Sequence, residues 1–319
     1  MIQRFAVLCV LIGFCLPVLA QDSLPREAEH LRKLQDDEKA LVDAARQYHL
    51  QQMDLTQWDY EITQSSVEST DVALQEVPGK SMEKRIKSIR LVWEYVLSVY
   101  SNNVRAMNYF GEYWYDIGGN AAAAITYWKR ALATDRSMSF AHNNLGLHYF
   151  HTGDYRKGLS HLESALKLEP KNPDFLFNIT QNYLNHFPSI IKIKKTDKKK
   201  LYREAMKYSQ NAARYAPEDF SLAQDYAVNF FAAENFDVEV SWDTAAAAWQ
   251  VARALAQKGR HVYYCLLNEG RCWLRGEEPE KALPLFESAL AIRPALDLRD
   301  GNEVVEQLIS RAKSDSAKK

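Results

Sequence analysis

The sequence predicts an all-α fold, a solenoid of stacked antiparallel helix pairs, and three observations carry that prediction. Breakers are few: 12 Gly and 10 Pro in 319 residues leave too little turn chemistry for many short strands. Apolar residues recur three and four positions apart through most of the chain, which is the spacing of one helix face. A set of small and large residues also returns at a near-constant interval between residues 104 and 295. The 47% apolar content suffices for a substantial core. A formal net charge of -1 argues against a surface that tracks nucleic acid, so no nucleic-acid partner is expected.

The first element, residues 1–20, reads as a signal peptide. Arg4 gives a positive start, Phe5 to Leu16 form an apolar stretch, and Pro17 breaks it. Val18-Leu19-Ala20 supplies small or modest residues before a cleavage point, so the mature chain is expected to begin at Gln21. The stretch is shorter than the roughly twenty residues a spanning helix needs, so no transmembrane segment is expected in the mature chain. Cys15 follows the bulky Phe14, not a small residue, which argues against a lipid anchor. An exported location follows, periplasmic or secreted. The short signal points to a bacterial source and leaves a eukaryotic secretory route open.

Removal of the signal leaves Cys265 and Cys272. On one helix they would stand about 10.5 Å apart, at 1.5 Å rise per residue. A disulfide needs about 7 Å or less, so two buried, unbridged thiols are expected.

Residues 21–80 divide into a helix and a polar linker. Leu31, Leu34, Leu41, Ala45 and Tyr48 mark the helix, and Pro78-Gly79 closes the linker. Residues 81–103 form an amphipathic helix through Ile86, Ile89, Trp93, Val96 and Val99, a degenerate half-repeat.

Residues 104–295 hold about five repeats. In one, Gly146, Tyr149, Gly158, Leu162, Ala165 and Pro170 fall at positions eight, eleven, twenty, twenty-four, twenty-seven and thirty-two. Upstream, Gly111, Trp114, Ala124, Trp128 and Ala131 keep the frame, with one extra residue assigned to the Gly118-Gly119-Asn120 turn. Near the end, Gly270, Trp273, Ala282, Phe286, Ala289 and Pro294 keep it without insertion. Two enlarged copies lie between, with insertions near 187–200 and 233–241, each expected in the turn between a unit's helices. Small residues let paired helices approach, large ones fill the space beside them, and each apolar stripe needs a neighbouring pair to cover it. Residues 296–319 supply a capping helix, Gly301 to Ala312, and a tail.

This pattern closely resembles the tetratricopeptide repeat, a helix-turn-helix unit of about 34 residues. Gly158 departs from it where the family usually has Ala. The resemblance implies a right-handed superhelix with a concave wall lined by set positions of each first helix. Carried over residue by residue, the wall offers Asn108 and Tyr115, then Asn143, Phe150 and His151, then Phe177 and Gln181, then Gln224 and Phe231, and finally Arg271 and Arg275. A mixed aromatic and polar wall suits a protein or peptide segment. Some family members grip a terminal carboxylate. The corresponding positions here are Asn108, Glu112, Asn144, Asp174 and Asn178; only Asn144 fits, and acids occupy two of them, so no such clamp is expected.

The basic insertion carries six Lys and one Asp between Lys192 and Lys200, and the next repeat's insertion carries Glu234, Asp237, Glu239 and Asp243. Mutual attraction of the two, or a simple solvated loop, is the favoured reading of the charges. His148, His151 and Asp154 have no further His pair to complete a ligand set, so no metal is expected. Asn178-Ile179-Thr180 matches a glycosylation acceptor but falls inside a first helix. Neither a nucleophile elbow nor a phosphate-cradling loop is present, so neither an enzyme nor a cofactor is expected. The expected function is an exported adaptor that holds a partner segment in the groove. The alternative is an envelope-associating structural protein that docks to an anionic surface through the Lys192–Lys200 loop.

Overall fold

The computed structural model describes residues 101–295 and 303–318, together with Arg90, Trp93, Glu94, Leu97 and Ser98. The expected signal peptide, the segment 21–80, most of the expected 81–103 half-repeat and the stretch 296–302 lie outside the described residues. Every regular element among the described residues is helical. The chain divides into two compact units, Met1–His148 and Tyr149–Lys319.

Unit 1 contains α1 (Val104–Glu112), a π-helical turn (Tyr113–Ile117), α2 (Ala121–Thr134) and the first ten residues of α3 (Ser139–His151). Asn103 and Asn120 begin α1 and α2 by accepting from the amides of Ala106 and Ala123 at 2.9 and 3.0 Å. The extra residue of this repeat does not sit in the Gly118-Gly119-Asn120 turn. It is absorbed upstream, where the Gly118 amide reaches back to the Tyr113 carbonyl at 2.8 Å. Widening one helical turn takes in a residue without breaking the ladder. Gly111 lies against Trp128, where an added Cβ would stand 2.4 Å from the indole nitrogen. That close approach is what the small residue at position eight permits.

Unit 2 continues through α4 (Tyr155–Leu168), α5 (Pro173–Asn185), α6 (Phe187–Lys194) and α7 (Lys198–Tyr215). Then follow α8 (Phe220–Asn229), a 3-10 segment (Phe230–Phe236), α9 (Trp242–Leu255), α10 (Gly259–Arg275), α11 (Pro279–Ile292) and α12 (Glu303–Ser316). Each helix from α7 onward packs on the next, and α5 packs on α7 across the small α6. This sequential stacking of helix pairs is the solenoid class the periodicity predicts. Ala223, Ala227, Ala245, Ala246, Ala248 and Ala252 share one buried cluster with the fully buried Trp249 and with Cys265 and Cys272 of α10. Leu274 and Phe286 meet Val305 and Ala312 of α12 in the last layer.

Asp154, Asn172, Asp197, Asp219 and Ser241 each accept a backbone N–H at the start of a helix. Asn172 Oδ1 takes the amides of Asp174 and Phe175 at 3.1 and 3.3 Å. Asn172→Ala is therefore expected to cost about 1 kcal/mol of stability in a denaturant titration.

Both insertions depart from the turn loops expected of them. Residues 187–200 form α6 and an early start to α7, with the buried Ile190 as anchor. Lys195, in the left-handed region at φ 51°, separates the two helices. The second insertion opens with the end of the 3-10 segment, whose Phe236 ring packs 4.6 Å from Phe187 and 5.3 Å from Tyr202. Lys198 pairs with Asp237, so the oppositely charged insertions do pack on each other. Lys194 is held by Glu163 at 3.2 Å, Glu204 at 3.1 Å and the Tyr183 hydroxyl at 2.6 Å. Much of the basic run is therefore engaged within the fold.

Candidate functional site

The sequence-predicted wall residues separate into those the core has taken and those left at the surface. In unit 1, Asn108 and Asn143 are fully buried. Asn108 donates to Glu112 Oε1 at 3.0 Å, and Asn144 bridges Asn108 Oδ1 at 3.1 Å and Glu112 Oε1 at 2.8 Å. The Asn108 carbonyl also accepts from the Trp128 indole at 3.2 Å. This amide network leaves Asn108 and Asn143 no open surface, which corrects their placement on a free wall. Their position within the repeat fixes the helix face, and neighbouring side chains close over that face. Tyr115 is half-buried, 5.4 Å from the Trp128 ring and edge-on to His148 at 5.8 Å.

In unit 2, Phe150 is buried, with its ring against Gly158 and stacked 5.5 Å from His186. It too belongs to the core and not to an open wall, because Gly158 draws the paired helix onto it. His151 is exposed. Phe177 packs at the edge of the Leu176, Ala212 and Leu222 cluster. Gln181 donates to Asp225 Oδ1 at 2.6 Å, and Ser209 and Asn229 donate to Asp225 Oδ2 at 3.1 and 2.9 Å. Burial raises the Asp225 pKa to about 7, against the lowering effect of the Ser209 and Asn229 hydrogen bonds. Gln224 is half-buried. Asn178 is buried, out of reach of a glycosylating enzyme in the folded chain.

Three of the predicted residues come together. Phe231, in the 3-10 segment, lies under both guanidiniums of α10, at 5.0 Å from Arg271 and 5.5 Å from Arg275. Arg275 also covers Trp242 at 4.9 Å, and the Phe231 and Trp242 rings are 5.8 Å apart. Arg271 is exposed and is steadied by one bond to Asn268 Oδ1 at 2.9 Å. Arg275 pairs with Glu234, itself largely exposed. The nearby Arg253 is differently placed: it is neutralised by the buried Glu269 at 3.0 Å. Below the cluster Trp249 meets Tyr264, an exposed ring, at 5.6 Å edge-on.

Trp242 was missed as a site residue because it reads as part of an inserted loop. Its position directly after the cap residue Ser241, which fixes the start of α9, was the available signal. Cys265 and Cys272 are buried and unbridged, and burial pushes their thiols up to about 11 and about 12. Such thiols pack as small apolar groups. Among the described residues no cluster of His, Cys, Asp or Glu could hold a metal ion, and no helix is long and apolar enough to cross a membrane.

Helix pairs stacked in sequence, with small residues at the pair contacts, define the class as an all-α repeat protein. The tetratricopeptide repeat model matches residues 139–172. Those residues are a tetratricopeptide repeat. Proteins built from such repeats are in general interaction scaffolds. Among solved structures the chain is similar to YrrB, described as a tetratricopeptide repeat protein with an unusual peptide-binding site. That match has 18% identity and a TM-score of 0.50, covering 70% of this chain and 97% of the other. It is also similar to PilF of Pseudomonas aeruginosa, with 14% identity and a TM-score of 0.51, covering 81% and 99% of the two chains. Both likenesses concern the fold alone. No curated protein matches the chain.

Proposed function

We propose that the protein is an exported scaffold that holds a segment of a partner protein on the first-helix side of its later repeats, around Phe231, Arg271 and Arg275. One observation carries this reading. Phe231 is only half covered, and what lies over it is a pair of cations, not an apolar lid. An aromatic base under partly hydrated guanidiniums can take a guest side chain at low cost. The peptide-binding site attributed to YrrB adds precedent within the same fold. Export rests on the first twenty residues, and recovery of a chain starting at Gln21 from an envelope or secreted fraction would support it.

The test is capture of co-purifying chains by the mature protein from its native envelope, with two variants beside it. Phe231→Ala is expected to lose the partner. Combined Lys192→Gln, Lys195→Gln and Lys199→Gln is expected to keep it. These lysines are exposed, while Lys194 and Lys198 of the same run are paired internally. Retention by Phe231→Ala with loss on lysine neutralisation and strong salt sensitivity would reverse the reading in favour of docking to an anionic surface.

A further inference from the structure

We infer that the partner segment is acidic, and that one of its carboxylates takes the place that Glu234 occupies on Arg275 while bridging to Arg271. The inference rests on the functional reading above and adds the chemistry of the guest.

Arg271 and Arg275 are one turn apart on α10, a rise of about 6 Å, so both guanidiniums address the same patch. They lie over shared aromatic surface: Phe231 is under both, and Trp242 is under Arg275. A guanidinium lying over an aromatic ring can keep its edge N–H groups available, the chemistry that favours a carboxylate held by two parallel bonds. Among the contacts observed, Arg271 gives one N–H to Asn268 and Arg275 gives one to Glu234, out of five donors each. Two cations thus meet one local carboxylate. That carboxylate sits on a side chain with 68% of its surface exposed, so its pairing is weak and readily exchanged. Glu234 marks where a carboxylate binds and competes with the guest. Basic guests are disfavoured by the same pair of charges, and a neutral amide cannot match two cationic donors.

The test uses the mature full chain and three fluorescein-labelled peptides read by anisotropy: alternating Glu and Ala, the Gln counterpart and the Lys counterpart. The Glu peptide is expected to bind at least roughly 10-fold more tightly than the Gln peptide, the scale of a charge-assisted hydrogen bond. Arg271→Ala and Arg275→Ala should each weaken it roughly 10-fold. Arg271→Lys should recover only part, because charge returns without the fork. Glu234→Gln should tighten binding several-fold by removing the competitor, and this gain is not something a damaged fold would produce. Arg203→Ala, an exposed change on α7, should leave binding unchanged.

Equal binding of Glu and Gln peptides, or preference for the Lys peptide, overturns the inference. So does a Glu234→Gln variant that binds the Glu peptide no better. If no peptide binds while the captured partner still depends on Phe231, the acidic guest is refuted and the scaffold reading survives. If the captured partner is indifferent to Phe231 as well, both fall.

Discussion

Trp249→Ala is expected to destabilise unit 2 by about 3–5 kcal/mol, the usual range for removing a buried Trp. The upper half of that range is expected here because of what surrounds the ring. Trp249 is fully buried in a cluster that includes six alanines: Ala223, Ala227, Ala245, Ala246, Ala248 and Ala252. A methyl group has no rotamer with which to move into a cavity, so those six residues can follow the lost indole only through backbone shifts. Trp249 also braces the candidate site from below, 6.4 Å from Phe231 and 5.6 Å from Tyr264. The variant should therefore lose partner binding even where enough folded protein remains for assay. Trp249→Phe provides the contrast. The indole Nε1 is buried with no hydrogen-bond partner, so replacing it by carbon sacrifices no bond and removes an unsatisfied donor. Its cost should be well under half that of the Ala change. Urea unfolding of the three chains decides the matter, and a loss below about 1 kcal/mol for Trp249→Ala would mean the layer repacks.

The same residues show how far the sequence could be read. Gly111 against Trp128 and Gly270 against Phe286 are pairs of positions eight and twenty-four, and an added Cβ at either glycine would stand 2.4 Å from the partner ring. Spacing alone exposes such pairs, because a small residue and a large one must return together for helices to nest. The π turn at Tyr113–Ile117 was not legible: an extra residue looks the same in sequence whether a loop or a helix takes it in. The insertion at 187–200 was taken for a loop because its Lys run overshadows Phe187 and Ile190, the two apolar residues that anchor α6. Of the predicted wall residues, Phe231, Arg271 and Arg275 lie together near the surface, whereas Asn108, Asn143 and Phe150 are interior. Position in a repeat tells which way a side chain points. It does not tell what comes to cover it.

Asp225 yields the second large effect, and its sign is opposite to that of an ordinary salt-bridged acid. Its carboxyl links three helices, through Gln181 of α5, Ser209 of α7 and Asn229 of α8. Burial raises its folded pKa to about 7, while the unfolded chain should titrate near the usual value of about 4. Below about pH 4 both states carry the proton and the contribution is fully present. Between about pH 4 and 7 the unfolded chain binds fewer protons than the folded one, so stability falls as pH rises, and above about 7 it levels off. A shift of this size corresponds to roughly 4 kcal/mol across the window. The proton has an acceptor at hand, because the Gln181 amide, 2.6 Å from Oδ1, can be turned to present its oxygen. Asp225→Asn imitates the protonated acid: one acceptor, one donor, no charge. The variant should match the native chain below about pH 4 and exceed its stability by roughly 4 kcal/mol at pH 8. His186 and His261, whose pKa values burial lowers, titrate in both proteins and cancel in the difference. Urea unfolding of the pair at intervals from pH 4 to 8 measures that difference directly. Parallel profiles would mean that the three donors keep Asp225 ionised throughout, making the contact between these repeats a charged clasp instead of a neutral one.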